Sequence, residues 1–174
     1  TEVERLASGL KESGVRVHID AREGISPGWK FNEWEEKGVP LRLEIGPKDL
    51  QNNTALLVDR LSGKKREVAF GALCDEIPVE LARFHESLFQ RALDFRKEHI
   101  FEVNTFDEFR EHIAHGWVIA THCGDPESEQ FIQEETKATI RCVPVDGPSA
   151  EGTVCIHTGR PSGYSRKVIF ARAY

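Results

Sequence analysis

The hydrophobic pattern of this chain changes its period repeatedly, and this restricts the chain to folds that mix helices with strands. Apolar residues recur three or four positions apart in 3–10 and 81–95, as they do on one face of a helix. They alternate with polar residues in 15–20 and 40–46, as they do in strands with one buried face. We therefore predict an α/β protein built from two small units.

Turn and cap signals divide the first unit. Gly14 is placed to end the first helix in a left-handed cap, and Ser62-Gly63 predicts a hairpin turn between two strands. Pro78 is expected to open a long helix. The apolar face of that helix would consist of Leu81, Phe84, Leu88, Ala92 and Phe95. Because helices and strands alternate here, we expect parallel pairing in this unit.

A second unit begins near residue 101, which gives predicted domains at 1–100 and 101–174. Thr105 with Glu108 has the pattern of a capping box, and Asp125-Pro126 that of a helix start. Three further strands are predicted at 138–145, 153–157 and 167–174. The predicted core residues are Phe101, Phe106, Ile113, Trp117, Val118, Phe131, Ile140 and Phe170. The chain begins inside a helix, so we expect the first strand of the first domain to be missing.

Composition and charge narrow the class of protein. The 174 residues are 39% apolar and 30% charged, which is enough apolar material for a packed core. No apolar run approaches the roughly 20 residues of a membrane span, and the acidic N-terminus is not an export signal. Four cysteines at wide spacing favour free thiols in a reducing compartment. We therefore expect a cytoplasmic protein without a membrane partner.

The net charge of −6 argues against nucleic acid, but residues 60–66 carry four positive charges and no negative one. Aromatic, acidic and basic residues also recur nearby, in a set that suits guanine. Guanine offers two Watson–Crick donors to a carboxylate, and its O6 and N7 accept from Arg or Lys. Exposed aromatics stack on unpaired RNA bases. The residues of this set are Phe31, Glu35, Arg42, Lys48 and Lys64.

The segment GWKFNEWEEKGVPLRLEIGPKDL (28–50) closely resembles the anticodon-binding domain of the prolyl-tRNA synthetases in their archaeal and eukaryotic-like form. The segments CGDPESEQFIQEETKATIRCVP (123–144) and IFARAY (169–174) resemble the extra C-terminal domain of that form. Other class IIa synthetases share the fold but not the 28–50 run. The resemblance implies a mixed-sheet class IIa anticodon-binding domain, followed by a small α/β C-terminal domain of zinc-binding type.

The same resemblance implies the function. It places the contacts to the proline anticodon, which ends in two guanines, on the five residues of the guanine-matched set. The family attaches proline to tRNA with ATP and Mg²⁺ in a separate catalytic domain and acts as a homodimer. This chain would lack that domain, be inactive alone and bind proline tRNA. Tyr174 matches the terminal residue that reaches the active site of the parent enzyme.

This chain departs from the cysteine pattern of the family's zinc site. Of its four cysteine positions, Cys123 and Cys155 keep the first and third, whereas Ser128 and Thr158 replace the second and fourth. Two thiolates are too few for a closed tetrahedral site, so zinc and any other cofactor are expected to be absent from this chain. His122 and His157 lie beside the remaining cysteines and offer replacement ligands. Cys74 and Cys142 match no ligand position, and we predict that they are buried apolar residues.

Two other functions compete with RNA recognition. A free-standing module of this fold would act as an accessory subunit that binds protein, but such an interface would not need a guanine-matched set. A metal-dependent enzyme would use His112, His115, His122 and Cys123. That alternative lacks an acid or base with a suitable partner.

Overall fold

A computed structural model describes residues 1–173 of the chain. The chain divides into two compact units, one at Thr1–Arg91 and the other beginning at Ala92. The predicted domain boundary followed residue 100, and its position stays a prediction. Among residues 1–173, no helix combines the length and the apolar composition that crossing a membrane requires.

Unit 1 consists of helices around a three-stranded sheet. Its elements are α1 (Glu2–Glu12), α2 (Pro27–Glu36), β1 (Leu41–Glu44), α3 (Pro47–Asn52), β2 (Thr54–Asp59), β3 (Lys65–Ala69) and α4 (Leu73–Glu98), which continues past the division between the units. Apolar residues of α1, of the sheet and of the start of α4 form one core. Its buried members are Leu6, Leu10, Ala55, Leu57, Val68, Phe70, Leu73 and Ile77.

Strand pairing in unit 1 is antiparallel throughout the described residues, so the prediction of parallel pairing was wrong. The strand order is β1-β2-β3, with Leu43 opposite Leu57 and Leu57 opposite Arg66. The predicted turn at Ser62-Gly63 joins β2 to β3, with Gly63 at φ 66°. A hairpin this short can only reverse the chain, and the short α3 likewise leaves too little length for a parallel crossover.

Residues 15–20 do not form the predicted strand. Val15 and Val17 pack against the core, whereas Ile19 is 37% exposed. The alternation therefore records an extended segment with one buried side, and the structure gives this segment no ladder partner among the described residues. Gly14 before it has the predicted left-handed conformation, at φ 86°.

The long helix begins earlier than predicted. A 3-10 turn at Phe70–Ala72 leads into α4 at Leu73, so Pro78 lies inside the helix rather than at its start. Burial of Leu73 and Ile77 anchors the turn before the proline and offsets the hydrogen bond that Pro78 cannot donate. The predicted apolar face of α4 is buried at Phe84, but near the C-terminal end of the helix Phe95 is 63% exposed.

Unit 2 is a mixed four-stranded sheet with two shorter helices, as the α/β class predicts. Its elements are β4 (Ile100–Glu102), α5 (Phe106–His112), β5 (Trp117–Ala120), α6 (Pro126–Thr136), β6 (Ala138–Cys142) and β7 (Val168–Arg172). The order is β4-β5-β7-β6, with only the β4–β5 pair parallel among the described strands. The predicted cap residues Thr105 and Asp125 both accept from backbone N–H groups of their helices.

The predicted strand at 153–157 is instead a tight turn around Cys155. The Cys155 N–H donates to the Arg160 carbonyl at 2.8 Å, and the Gly159 N–H donates to the Cys155 carbonyl at 2.9 Å. These bonds fold the segment back on itself, which leaves only an isolated bridge between Val154 and Pro161. The alternation of Val154 and Ile156 was therefore misleading, because local hydrogen bonds outweigh strand pairing here.

Three of the predicted core residues of unit 2 are fully buried: Ile113, Val118 and Phe170. Trp117 and Phe131 are 51% and 37% exposed, contrary to the prediction. Trp117 lies on the opposite face of β5 from Val118, because successive side chains of a strand point to opposite faces. Phe101, Phe106 and Ile140 pack against the core from its edge.

The prediction that Cys74 and Cys142 are buried was also wrong, since both are exposed. Cys74 lies on α4 one residue after the buried Leu73, and helix geometry turns it away from the core. Cys142 is the last residue of β6, where the sheet register is irregular.

Candidate functional site

The guanine-matched set lies on α2, β1 and the segments that follow them. Ser26 caps α2 by accepting from the Trp29 N–H, and Gly38, at φ 81°, ends the helix so that Pro40 can lead into β1. Leu41 and Leu43 of β1 pack on the core. Alternation along the strand therefore places Arg42 and Glu44 on its other face.

Arg42 brings the two predicted α2 residues into one contact. Its guanidinium carbon lies 4.0 Å from the centre of the Phe31 ring. Its Nη1 donates to Glu35 Oε1 at 2.6 Å, and its Nε donates to Glu44 Oε1 at 3.0 Å. We call these four residues the Arg42 cluster.

The exposure of the Arg42 cluster is uneven. The side chains of Arg42 and Glu44 are 17% and 20% exposed, whereas that of Glu35 is 43% exposed. Glu35 is therefore the carboxylate that an RNA base can reach most easily. Arg42 holds it in place, and Glu44 supplies the second negative charge that balances the guanidinium.

Lys48 and Lys64 are exposed, and within residues 1–173 no recorded contact joins either of them to the Arg42 cluster. Lys48 lies in the first turn of α3, and Lys64 follows the hairpin turn, where its N–H donates to the Ser62 hydroxyl at 3.3 Å. Their roles in RNA contact stay predictions. Both ammonium groups face solvent, which suits contact with phosphate.

Two residues of this surface were missed from the sequence. Glu44 lies two positions after Arg42 on the same strand face, so period-two spacing could have identified it. Lys65 lies beside Arg42 across the sheet, through Val58, and its Nζ approaches Glu44 Oε1 at 3.8 Å. The basic run at 60–66 is also less positive than it looks, because Arg66 pairs with Glu76 and Glu80 of α4.

The loop before α2 is tied to the helix by a second charged cluster. Asp20 accepts from the Trp34 indole N–H at 2.8 Å and pairs with Arg22. The hydrogen bonds from Arg22 and then Trp34 hold the pKa of Asp20 well below its usual range. These bonds keep Trp34 turned inward. Trp29 on the same helix remains 72% exposed, and this free aromatic face was not predicted.

The four positions of the family zinc pattern meet in unit 2. Ser128 Oγ lies 3.9 Å from Cys155 Sγ and 2.9 Å from His157 Nδ1. Thr158 Oγ1 donates to Cys123 Sγ at 3.4 Å. Within the described part of the chain, one potential metal-ligand group was found, and it consists of His122, Cys123 and Cys155, with ligand atoms within 4.8 Å of one another.

This group, together with Ser128, His157 and Thr158, does not fit a closed zinc site. Its three ligand-forming members supply two thiols and one imidazole, whereas structural zinc takes four anionic or imidazole ligands, and the Nδ1 of the second imidazole, His157, is hydrogen-bonded to Ser128 instead. The two hydroxyls in the lost cysteine positions hydrogen-bond inside the group instead. His122 is 1% exposed, and its Nδ1 accepts from the Gly124 N–H at 3.1 Å. Its buried Nε2 has no hydrogen-bond partner among residues 1–173, and burial lowers the pKa of the ring.

The two cysteines of the group have different surroundings. Burial alone would raise the pKa of Cys155, but hydrogen bonds from Thr158, His157 and Cys123 lower it to about 7. Cys123 is partly exposed, and Arg160 Nη2 lies 3.7 Å from its Sγ. Gly163 lets the chain pass close to the backbone of Cys123, because a Cβ at position 163 would lie 2.3 Å from the Cys123 carbonyl oxygen.

The described residues do not assemble the metal site that the alternative of a metal-dependent enzyme requires. His112 stacks on Phe101 with ring centres 4.5 Å apart, and within residues 1–173 neither His112 nor His115 joins a potential ligand group. Tyr174, predicted to reach the active site of a parent enzyme, lies outside the described residues.

Comparison with known proteins finds a family match in each unit. The anticodon binding domain family matches residues 1–80, and the family described as prolyl-tRNA synthetase, C-terminal, matches residues 106–174. The proline–tRNA ligase of Mycobacterium leprae is 48% identical over 97% of this chain and 35% of its own length. That of Chloroflexus aurantiacus is 45% identical over 99% of this chain and 36% of its own length.

A solved structure has the same fold. The prolyl-tRNA synthetase of Cryptosporidium parvum, crystallised with L-proline and AMP, superposes with a TM-score of 0.90 at 32% identity, over 99% of this chain and 36% of the other. The chain therefore spans about a third of the length of the proteins it matches. The two sequence relatives are bacterial, so the expected archaeal and eukaryotic-like form is not confirmed by them.

Proposed function

We propose that this chain, in which residues 1–80 match the anticodon binding domain family and residues 106–174 match the C-terminal prolyl-tRNA synthetase family, recognises the anticodon of proline tRNA for a proline–tRNA ligase. The observation that carries the proposal is the Arg42 cluster. It presents one accessible carboxylate, Glu35, beside a guanidinium that lies over an aromatic ring. Such a pair matches the donors and acceptors on the edges of guanine.

We propose different roles for the two charged partners, Glu35 and Arg42. Glu35 accepts from the ring N–H and the exocyclic amine of guanine, because it is the more exposed of the two. Arg42 fixes the direction of that carboxylate and presents its remaining N–H groups to O6 or N7. Lys48 and Lys64 contribute phosphate contacts that hold the loop without reading sequence.

The rest of the activity belongs to a longer enzyme. We propose that ATP, Mg²⁺ and proline bind a catalytic domain in the region that this chain does not cover. The parent would act in the cytoplasm as a homodimer of the archaeal and eukaryotic-like form. The 28–50 segment supports that form, and four free cysteines support a reducing compartment. We further propose that Tyr174 docks in the active site of that enzyme, as the resemblance implies.

Binding of proline tRNA and its anticodon variants at two salt concentrations tests the proposal. We expect replacement of either anticodon guanine by adenine to weaken binding by about 1–3 kcal/mol at both concentrations. Higher salt should weaken the binding of all these RNAs by a similar factor, because phosphate contacts release counterions regardless of sequence. Equal affinity for guanine and adenine anticodons would instead favour an accessory module that binds protein.

A further inference from the structure

We propose that Cys123 and Cys155 are a redox-active thiol pair that a hydroperoxide converts into a disulfide. Their sulfur atoms lie within 4.8 Å of each other, in a group whose donors do not fit zinc. A disulfide requires the sulfurs to approach to about 2.0 Å, so the two side chains would have to rotate toward each other. The Thr158 hydroxyl bond to Cys123 Sγ would break in this rotation.

Cys123 is the thiol that a hydroperoxide reaches. It is partly exposed, whereas Cys155 is only 2% exposed. Two donors face its sulfur, the Thr158 hydroxyl at 3.4 Å and the Arg160 guanidinium at 3.7 Å. Asp125 pairs with Arg160 and holds it at this position. Cys123 is therefore the member of the pair that meets the hydroperoxide first.

Cys155 is placed to act as the resolving thiol. It is buried in the tight turn described above, and its sulfur lies within 4.8 Å of Cys123 Sγ. A Cys155 thiolate would be out of reach of solvent and large oxidants, because the residue is only 2% exposed. The nearest sulfur available to that thiolate is Cys123, since Cys74 and Cys142 match no position in the group.

The reaction balances in two steps. The Cys123 thiolate attacks one oxygen of the hydroperoxide, the O–O bond breaks, and protonation releases water or an alcohol. This leaves a sulfenic acid on Cys123. The Cys155 thiolate then attacks that sulfur, the S–O bond breaks, and the departing hydroxide takes up a proton to form water. The hydroperoxide gains two electrons, and each sulfur loses one.

The test uses the 174-residue chain with Cys74→Ser and Cys142→Ser, which removes two exposed thiols and leaves the pair intact. After hydrogen peroxide treatment, free thiols are alkylated under denaturing conditions and the protein is analysed by intact mass and peptide mapping. We expect loss of two hydrogen atoms, no alkylated cysteine, and one cross-linked peptide joining Cys123 to Cys155. Reduction should restore both thiols.

A third substitution, Cys155→Ser, separates the two steps. It should leave a sulfenic acid on Cys123 that a 1,3-diketone probe labels, at a rate close to that of disulfide formation in the parent variant. The proposal is overturned if peroxide leaves both thiols free, or if it carries Cys123 to sulfinic acid while Cys155 remains reduced. One bound zinc per chain that protects both thiols would overturn it as well.

Discussion

At the scale of single residues, Glu35 is the side chain whose replacement should change base preference. Glu35→Gln exchanges one acceptor oxygen for a donor, so we expect the preference for guanine over adenine to fall by about 1–3 kcal/mol. Binding titrations with the two anticodon variants measure this. The matched control is Glu36→Gln, an equal charge change at the next position of α2. An equal loss of preference in both variants would attribute the effect to net charge.

Lys64 tests the separation of phosphate contacts from base contacts. We expect Lys64→Ala to weaken binding of all anticodon variants by the same factor and to reduce the slope of log affinity against log salt by about 0.7–0.9. Lys11→Ala on α1 serves as the control, because it removes an equal charge from a helix outside the guanine-matched set. A change in guanine preference with Lys64→Ala would show that this residue reads a base.

Of the two missed residues, only Lys65 depends on partners distant in sequence, because Glu44 lies two positions after Arg42 on the same strand. Phe31, Glu35 and Arg42 were found because their residue types suit guanine and match a family segment. Lys65 reaches the Arg42 cluster only through the pairing of β1 with β2 and β2 with β3, which no local pattern encodes.

At the scale of elements, the cap of α5 should contribute measurably to the stability of unit 2. The Thr105 hydroxyl accepts from the Glu108 N–H at 3.3 Å, and Glu108 accepts from the Thr105 N–H in return. We expect Thr105→Ala to lower the free energy of unfolding by about 1 kcal/mol. Thr105→Ser keeps the acceptor and should remain close to the unmodified chain. Urea unfolding of the three proteins measures the difference, and similar losses for both substitutions would contradict a capping role.

The same cap should make stability depend on pH. Backbone hydrogen bonds from Asn104 and then Thr105 lower the pKa of Glu108 below its model-peptide value of 4.5. Since the folded pKa is the lower one, the stabilisation is present above pH 4.5 and is lost as the pH falls through the folded value. The stability difference between the unmodified chain and Glu108→Gln should therefore shrink on acidification. A difference that stays constant from pH 7 to about pH 3 would contradict this linkage.

Caps and turns were predicted better than strands because their chemistry is local. Thr105, Asp125 and the Ser62-Gly63 turn all perform the roles that their residue types predict. The segments 15–20 and 153–157 have strand-like alternation but no ladder. Alternation records which side chains are buried, whereas a strand also needs a paired backbone, and that partner is chosen by the whole fold.

At the scale of the whole molecule, the α/β class followed from the changing hydrophobic period, but the direction of strand pairing did not. The regular alternation of helices and strands in unit 1 suggested crossovers, and the connections proved too short for them. The changing hydrophobic period and the cap signals also predicted two units, and the position of the boundary between them stays a prediction. The physical pattern alone would not have distinguished an RNA-binding domain from a protein-binding one.

The absence of four ligands predicts that unit 2 folds without metal. We expect elemental analysis of the chain purified without added metal to find no stoichiometric zinc, and a chelator to leave the melting temperature unchanged, because no metal-binding free energy is coupled to folding. The control is the double substitution Ser128→Cys with Thr158→Cys, which restores a thiol at each replaced position. Since these four positions already meet in the fold, the variant should bind one zinc and melt at a lower temperature when chelator is added. A zinc content near one per chain in the unmodified protein would contradict this prediction. It would mean that the imidazoles of His122 or His157 ligate zinc where the family has a cysteine.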